Sequence, residues 1–154
     1  MNFEFSADQM QLKDIARKFL EKEESVKRAR TVLEGEESYD KDLWSQVVEM
    51  GFTATAIPEE YGGLGLGYLE LCVIAEELGR SLAPTPFSSS VYLATESILQ
   101  FGTDSTKQAY LPSLANGEKI GTFAVFIKTN TCYLEGINAN INKDLHIKNS
   151  TTIP

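Results

Sequence analysis

The hydrophobic period of the chain changes near Gly117, and this change constrains the possible folds more than any other feature of the sequence. Before it, apolar residues recur every three or four positions, which is the spacing of an amphipathic helix. After it, residues 120–127 are apolar on both faces, and residues 137–148 alternate apolar with polar side chains, as in a hairpin. We therefore predict a mainly α fold, with about five helices in residues 1–118 and the first strands of an incomplete β domain in residues 119–154.

Each predicted helix is bounded by capping residues and by glycines or an acidic break. Ser6 and Gln9 form a capping box at the first helix, and the Asp40 carboxylate caps the second. Pro112 is expected to kink the last helix, because proline lacks an N–H and clashes with the preceding turn. The five helices are predicted at about residues 7–33, 40–50, 68–78, 86–101 and 105–115.

The third helix carries a cysteine and a pair of glutamates that invite a functional interpretation. We expect it to bury the face of Tyr68, Leu71 and Cys72, with the Cys72 thiol acting as a small hydrophobe. The adjacent Glu76 and Glu77 point about 100° apart on a helix. They are therefore interpreted as part of a solvated face and not as a catalytic acid–base pair.

Charge and cysteine usage limit the class of protein. The formal net charge is −8, and the basic residues are interspersed with acidic ones, which argues against nucleic-acid binding. No apolar run reaches the roughly 18 residues of a membrane span. Cys72 and Cys132 have no metal-like spacing, so they are interpreted as reduced thiols of a cytoplasmic protein. His146 has no partner for a metal site, and none is predicted.

Four segments, in a fixed order, carry a family resemblance. They are Ile57-Pro58-Glu59-Glu60-Tyr61-Gly62-Gly63-Leu64-Gly65-Leu66-Gly67, Glu76-Glu77-Leu78-Gly79-Arg80, Ala83-Pro84-Thr85-Pro86-Phe87 and Tyr110-Leu111-Pro112-Ser113-Leu114-Ala115-Asn116-Gly117-Glu118. The set resembles the N-terminal domain of acyl-CoA dehydrogenases, flavoenzymes that desaturate acyl-CoA thioesters between Cα and Cβ. The glycines of the first segment fit neither phosphate-binding fingerprint, so they are expected to form a tight loop between helices.

The resemblance implies a cofactor, a substrate and partners. Family members bind FAD between a middle β domain and a C-terminal helical bundle, with a contribution from a neighbouring subunit. The base that removes the α-proton is a glutamate of the C-terminal domain, so no catalytic residue is assigned in this chain. An acyl-CoA substrate is expected only in the complete enzyme, together with the missing domains or a partner subunit in a homo- or hetero-oligomer.

The resemblance also places four residues toward FAD: Phe123, Val125, Phe126 and Thr131. The family usually continues from its first strand into a Thr-Glu-Pro-x-x-Gly-Ser-Asp loop that holds the flavin. This chain instead has Phe126-Ile127-Lys128-Thr129-Asn130-Thr131-Cys132-Tyr133, with a bulky Phe126 at the position of a small hydroxyl residue. The alternative interpretation is that Phe123 and Val125 fill the core of a strand.

The fourth helix corresponds to the one that lines the acyl-chain end of the family pocket. Aligned through Phe101-Gly102-Thr103-Asp104, its inward positions include Ser89 and Leu93, which are the predicted substrate contacts. The small polar run of residues 88–90 would leave room for a bulky or polar acyl group. The alternative is an exposed first helical turn.

Two functional hypotheses follow. The first is the N-terminal part of a flavin-dependent acyl-CoA dehydrogenase that is not catalytically complete alone. The second is a non-enzymatic, truncated paralogue that acts as a helical interaction module. The intact helical motifs favour the first hypothesis, and the altered flavin loop favours the second.

Overall fold

The computed structural model describes residues 4–123 as a helical unit. No strand occurs among these residues, and the predicted hairpin at residues 137–148 lies outside them. Six α-helices, two short 3-10 turns and one π-helical segment make up the described fold. They are α1 (Ala7–Lys22), α2 (Ser25–Glu34), α3 (Lys41–Glu49), turns at Phe52–Ala54 and Glu59–Tyr61, α4 (Tyr68–Arg80), the π segment (Ser88–Thr95), α5 (Glu96–Phe101) and α6 (Asp104–Ala115). The mainly helical architecture is confirmed.

The helix starts follow the predicted caps. The Ser6 hydroxyl accepts the Gln9 N–H at 3.1 Å, while the Gln9 side chain accepts the Ser6 N–H at 3.0 Å, which completes the capping box. The Asp40 carboxylate accepts the Leu43 N–H at 2.8 Å at the start of α3. Both predicted caps are confirmed. These bonds satisfy amides that the first turn of a helix leaves without partners.

Two apolar clusters hold the helices together. The larger one joins α1, α3 and α4, and its centre includes Ala16, Leu43 and Val47, each with no exposed surface. The smaller one is formed by Ala54, Ile57, Ile98, Leu111, Leu114 and Ala115. Burial of these side chains supplies the hydrophobic stabilisation of the fold, roughly 25 cal/mol for each Å² of apolar surface removed from water.

The first predicted helix is in fact two helices, so the prediction of one helix up to residue 33 was wrong. α1 ends at Lys22, and Glu24 adopts a left-handed backbone with φ of 50° before α2 begins. Arg28 stabilises this corner, because its guanidinium donates to the Glu23 carbonyl at 2.9 Å and to Asp40 Oδ2 at 3.0 Å. A cation near the last carbonyls of α1 is favourable there.

The buried face of α4 also differs from the predicted one. The helix buries Leu71, Val73, Ile74, Glu77 and Leu78, whereas Tyr68 is 56% exposed and Cys72 is exposed. The reason is that α4 packs along α1, and this contact buries the side of α4 that carries residues 73 and 77. The interpretation of Cys72 as a buried small hydrophobe was therefore wrong.

The glycine-rich segment folds back on the residues that precede it, as expected for a tight loop. The Gly63 N–H donates to the Pro58 carbonyl at 3.1 Å, and the Gly65 N–H donates to the Ile57 carbonyl at 2.9 Å. Gly62 and Gly65 have positive φ angles of 80° and 62°, which side chains rarely adopt. The glycines thus allow the tight turn of the loop, and the N–H groups of Gly63 and Gly65 are hydrogen-bonded to carbonyls of the same loop.

The fourth and fifth predicted helices are present with one unexpected feature. The fourth buries Phe87, Val91, Ala94, Thr95 and Ile98 as predicted, but eight of its residues, Ser88–Thr95, form the π segment. α6 continues through Pro112 to Ala115. The carbonyl that the missing N–H of Pro112 leaves free is that of Gln108, and Gln108 is exposed, so water can satisfy it.

Candidate functional site

The helix that carries Ser89 and Leu93 lies beside α4. The Tyr68 hydroxyl donates to Glu96 Oε1 at 2.9 Å. The Gln100 amide donates to the Tyr68 hydroxyl at 3.2 Å and to Glu96 Oε1 at 2.8 Å. The hydrogen bond to Glu96 is the main cause that raises the pKa of Tyr68. These bonds join the start of α4 to α5 at the molecular surface.

The two predicted substrate contacts lie on the outer side of the π segment. Leu93 is 48% exposed, and Ser89 is partly exposed. The Ser89 hydroxyl donates to the Pro86 carbonyl at 3.1 Å, so its proton is used within the helix. The outer side therefore presents an apolar Leu93 next to a small, internally satisfied serine, which is a surface suited to an apolar group.

One of the four predicted flavin contacts falls in the described part of the chain. Phe123 is 51% exposed, and Val125, Phe126 and Thr131 lie outside the described residues. An exposed aromatic ring can pack against a planar ring system by offset stacking or edge contact. The exposed ring of Phe123 is thus available for contact with another group, and its assignment to the flavin stays a prediction.

The π segment carries a partly buried tyrosine, Tyr92. Tyr92 packs edge-on against Phe87, with ring centroids 5.3 Å apart. Burial, with the nearby Cys72 as a second cause, raises the pKa of Tyr92 to about 12. Tyr92 is therefore neutral at physiological pH and contributes packing, not charge, to the larger apolar cluster.

Comparison with known proteins decides the family. Residues 6–118 match the acyl-CoA dehydrogenase N-terminal domain. The chain belongs to the acyl-CoA dehydrogenase family. This membership confirms the resemblance carried by the four ordered segments, and the matched range coincides with the helical unit.

Two similar sequences show how much of a family member the chain represents. The acryloyl-CoA reductase (NADH) of Anaerotignum propionicum is 32% identical over 126 residues, which are 81% of this chain and 32% of the reductase. The mitochondrial isovaleryl-CoA dehydrogenase of Arabidopsis thaliana is 34% identical over 125 residues, which are 79% of this chain and 30% of that enzyme. The chain thus spans about a third of the length of these relatives.

Two solved structures share the helical arrangement. The ChsE4–ChsE5 complex from Mycobacterium tuberculosis matches with a TM-score of 0.72 and 28% identity, over 79% of this chain and 34% of that chain. An acyl-CoA dehydrogenase from Bacillus anthracis, solved with FAD, matches with a TM-score of 0.67 and 28% identity, over 76% of this chain and 20% of that chain. The fold is therefore that of the N-terminal domain in this flavoprotein family.

In this acyl-CoA dehydrogenase domain, the Glu76-Glu77-Leu78-Gly79-Arg80 segment has a structural role. Glu77 is 1% exposed and accepts from Arg17 at 2.7 and 3.0 Å and from Arg80 at 3.0 Å. The hydrogen bond from Arg17 is the largest cause that lowers the pKa of Glu77. The prediction that Glu77 belongs to a solvated face was wrong, because α1 supplies a cation 60 residues away in sequence.

Arg80 extends this network to a third carboxylate. Its guanidinium donates to Glu21 Oε1 at 2.8 Å as well as to Glu77. Lys13, one turn before Arg17 in α1, pairs with Glu76 at 2.8 Å. The glutamate pair that suggested catalysis is thus divided between a buried structural ion pair and a surface one. Glu77 is committed to two arginines and is not a free base.

Other parts of the acyl-CoA dehydrogenase domain bring no predicted site residues together. A groove of about 470 Å³ is lined by Leu20, Glu21, Glu24, Ser25, Val26, Lys27, Arg30, Arg80 and Ser81. Within residues 4–123, no three His, Cys, Asp or Glu side chains are grouped so that they could hold a metal ion. Nor is any helix of this part of the chain both long and apolar enough to cross a membrane.

Proposed function

We propose that this chain supplies the helical N-terminal domain of a flavin-dependent acyl-CoA dehydrogenase, which desaturates acyl-CoA thioesters between Cα and Cβ. The observation that carries the proposal is the match of residues 6–118 to the N-terminal domain of that family. Relatives such as the Arabidopsis enzyme are about three times as long as the matched part. Residues 119–154 are proposed to begin the middle β domain, and turnover is proposed to need that domain and the C-terminal bundle.

The proposed cofactor is FAD, the cofactor of the family and of the Bacillus anthracis structure. FAD, when bound, supplies the acceptor for the two electrons removed from the substrate. From this chain, Phe123, Val125, Phe126 and Thr131 are proposed to lie toward it. The half-exposed ring of Phe123 supports this proposal, because it is available for contact with a planar group.

The proposed contribution to substrate binding is a wall for the acyl chain. Ser89 and Leu93 are proposed to face the end of the acyl group, since both are turned away from the core of the helical unit. A small serine and an exposed leucine would remove water from an apolar chain without donating a hydrogen bond to it. Each buried methylene of such a chain contributes about 0.8 kcal/mol.

The exposed apolar side chains near α4 support an assembly with further protein. Leu66, Tyr68 and Leu69 are 43, 56 and 60% exposed, and Phe101 is 79% exposed. Clustered apolar exposure of this kind marks an interaction site. We infer that the middle and C-terminal domains of the family or a partner subunit cover these side chains, in a homo- or hetero-oligomer. A cytoplasmic location is part of this proposal, and the free Cys72 thiol accords with a reducing compartment.

A second candidate function is a non-enzymatic interaction module. The observation that favours it is the stretch Phe126-Ile127-Lys128-Thr129-Asn130-Thr131, which replaces the family's flavin loop. Phe126 occupies a position where a small hydroxyl residue would contact the flavin edge. The two functions differ in whether the helical domain still supports substrate oxidation when the other domains are supplied.

The 154-residue chain on its own is expected to show no acyl-CoA dehydrogenase turnover. The physical reason is that neither the α-proton base nor most of the flavin site is assigned to it. The measurement is reduction of an artificial electron acceptor by a series of acyl-CoA thioesters after incubation with FAD and desalting. Turnover above that of free FAD with any acyl-CoA would contradict the proposal.

A further inference from the structure

A buried serine of the π segment contacts the chain as it leaves the helical unit. Ser90 is 1% exposed, and its hydroxyl oxygen accepts the Gly121 N–H at 3.2 Å. The two residues are 31 positions apart in sequence. A buried hydroxyl that accepts an amide from a distant segment fixes that segment, because breaking the bond leaves a polar group without a partner.

Gly121 is held against the same helix by close packing. A Cβ added to Gly121 would lie 2.4 Å from the Ala94 Cβ and 3.4 Å from the Leu114 Cδ2. No residue larger than glycine fits at this distance without displacement of one of the two segments. Since the φ angle of Gly121 is not in the left-handed region, glycine is required here by space and not by backbone angle.

The π segment therefore makes different contacts on its two sides. Its inner side carries Ser90 and Ala94, which hold Gly121, and its outer side carries Ser89 and the half-exposed Leu93. A π turn inserts an extra residue into a helical turn, and such turns occur often at functional sites. One helical segment thus connects the predicted acyl contacts to the start of the segment that contains the predicted flavin contacts.

We propose that Ser90, Ala94 and Gly121 form an anchor that sets the position of Phe123 relative to Ser89 and Leu93. The three residues are positioning residues: they touch neither the proposed substrate nor the proposed cofactor. The proposal rests on the proposed function, which assigns Phe123 to the flavin side and Ser89 and Leu93 to the acyl side. The anchor itself is a property of residues 88–123 and can be measured without either ligand.

The first test removes the acceptor. In the 154-residue chain, Ser90→Ala is expected to increase the amide hydrogen-exchange rate of Gly121 about fivefold or more, because a net hydrogen bond of ordinary strength is lost. Exchange is read residue by residue by NMR. The matched control is Ser89→Ala, which removes the neighbouring hydroxyl and should leave Gly121 exchange unchanged. Equal Gly121 exchange in Ser90→Ala and the unsubstituted chain would overturn the anchor.

The second test exchanges the packing partners. Gly121→Ala is expected to shift the amide resonance of Phe123, two residues away, since the new Cβ meets the Ala94 Cβ and displaces the segment. The double variant Ala94→Gly with Gly121→Ala moves the methyl group to the other segment and should restore the Phe123 resonance toward its original position. Failure of the double variant to restore it would show that Gly121 is not held by Ala94. Core amides such as that of Ile74 report whether each variant is folded.

These outcomes are separable from the proposed function. All of them are read in the absence of FAD and acyl-CoA, so an inactive or colourless protein does not affect them. Conversely, the anchor can be confirmed in a domain that never supports substrate oxidation. In that case the contacts of Gly121 would be correct, and the proposed function would be wrong.

Discussion

Replacing Gly63 with alanine is expected to lower the free energy of unfolding of the helical unit by about 3 kcal/mol, the upper end for overpacking of a tight interior. A Cβ at this position would lie 1.9 Å from the Ile57 carbonyl oxygen and 2.4 Å from its carbon. Both are backbone atoms, so no side-chain rotation can relieve the overlap. The loop would have to release hydrogen bonds such as that from the Gly65 N–H to the Ile57 carbonyl.

The measurement is urea unfolding followed by the fluorescence of Trp44, the single tryptophan, which is 5% exposed in the folded protein. Gly79→Ala is the matched control. Gly79 lies within α4, its φ is not positive, and no heavy atom lies within 4 Å of the point that an alanine methyl group would occupy. That variant should gain about 0.5–1 kcal/mol from helix propensity. A Gly63→Ala protein as stable as the unsubstituted chain would contradict the close contact with Ile57.

Glu77→Gln is expected to lower the free energy of unfolding by about 2–3 kcal/mol, as for the loss of charge-assisted hydrogen bonds to a buried group. The glutamine keeps the shape of the side chain and one acceptor oxygen, but its NH2 group would replace the other acceptor and face a guanidinium that only donates. Arg17 and Arg80 are 39% and 49% exposed, so both can regain water, which limits the loss. The control is Glu76→Gln, whose exposed pair with Lys13 should contribute less than about 1 kcal/mol.

The pH dependence of this effect has a defined sign. Arg17 and Arg80 hold the pKa of Glu77 below its ordinary value of 4.5 in the folded protein. The stabilisation by the charged carboxylate is therefore complete above the unfolded-state pKa and is lost as the pH falls through the lower folded-state pKa. The stability difference between the chain and Glu77→Gln should be constant near neutral pH and decrease below about pH 4. A difference that grows on acidification would contradict the assigned ion pair.

Much of the fold could be predicted because local signals agreed with it. The capping box at Ser6 and Gln9, the Asp40 cap and the apolar stripe of the fourth helix each depend on residues a few positions apart. The tight glycine loop could be predicted as well, because left-handed angles at Gly62 and Gly65 favour glycine. Such features need no knowledge of what packs against them.

The features that were missed depend on distant partners. The burial of Glu77 is set by Arg17 on another helix, and the corner at Glu24 is held by Arg28 and Asp40. The exposure of Cys72 follows from which side of α4 meets α1. The π segment has no signal in the sequence that we can identify. The contact between Ser90 and Gly121 likewise joins residues 31 positions apart, so it could not be predicted from local sequence.

The candidate site was predicted from the family resemblance and not from the residues alone. Ser89 and Leu93 are ordinary helix residues in the sequence, and their outward position becomes visible only beside the buried Ser90 and Ala94. The assignment of Phe123 depends in the same way on alignment with flavoproteins. All six site residues remain predictions, namely Ser89, Leu93, Phe123, Val125, Phe126 and Thr131, as does the division of the chain after residue 118.

The central claim is that this helical domain serves substrate oxidation by bound flavin, and a chimera tests it most directly. Residues 1–118 would replace the corresponding domain of the Arabidopsis isovaleryl-CoA dehydrogenase, which is 34% identical over the matched region. The measurement is the loss of flavin absorbance in the purified chimera when acyl-CoA thioesters of different chain shape are added without oxygen. We predict that at least one acyl-CoA bleaches the flavin. A folded chimera that retains FAD and is bleached by none of them would contradict the claim and favour the interaction module.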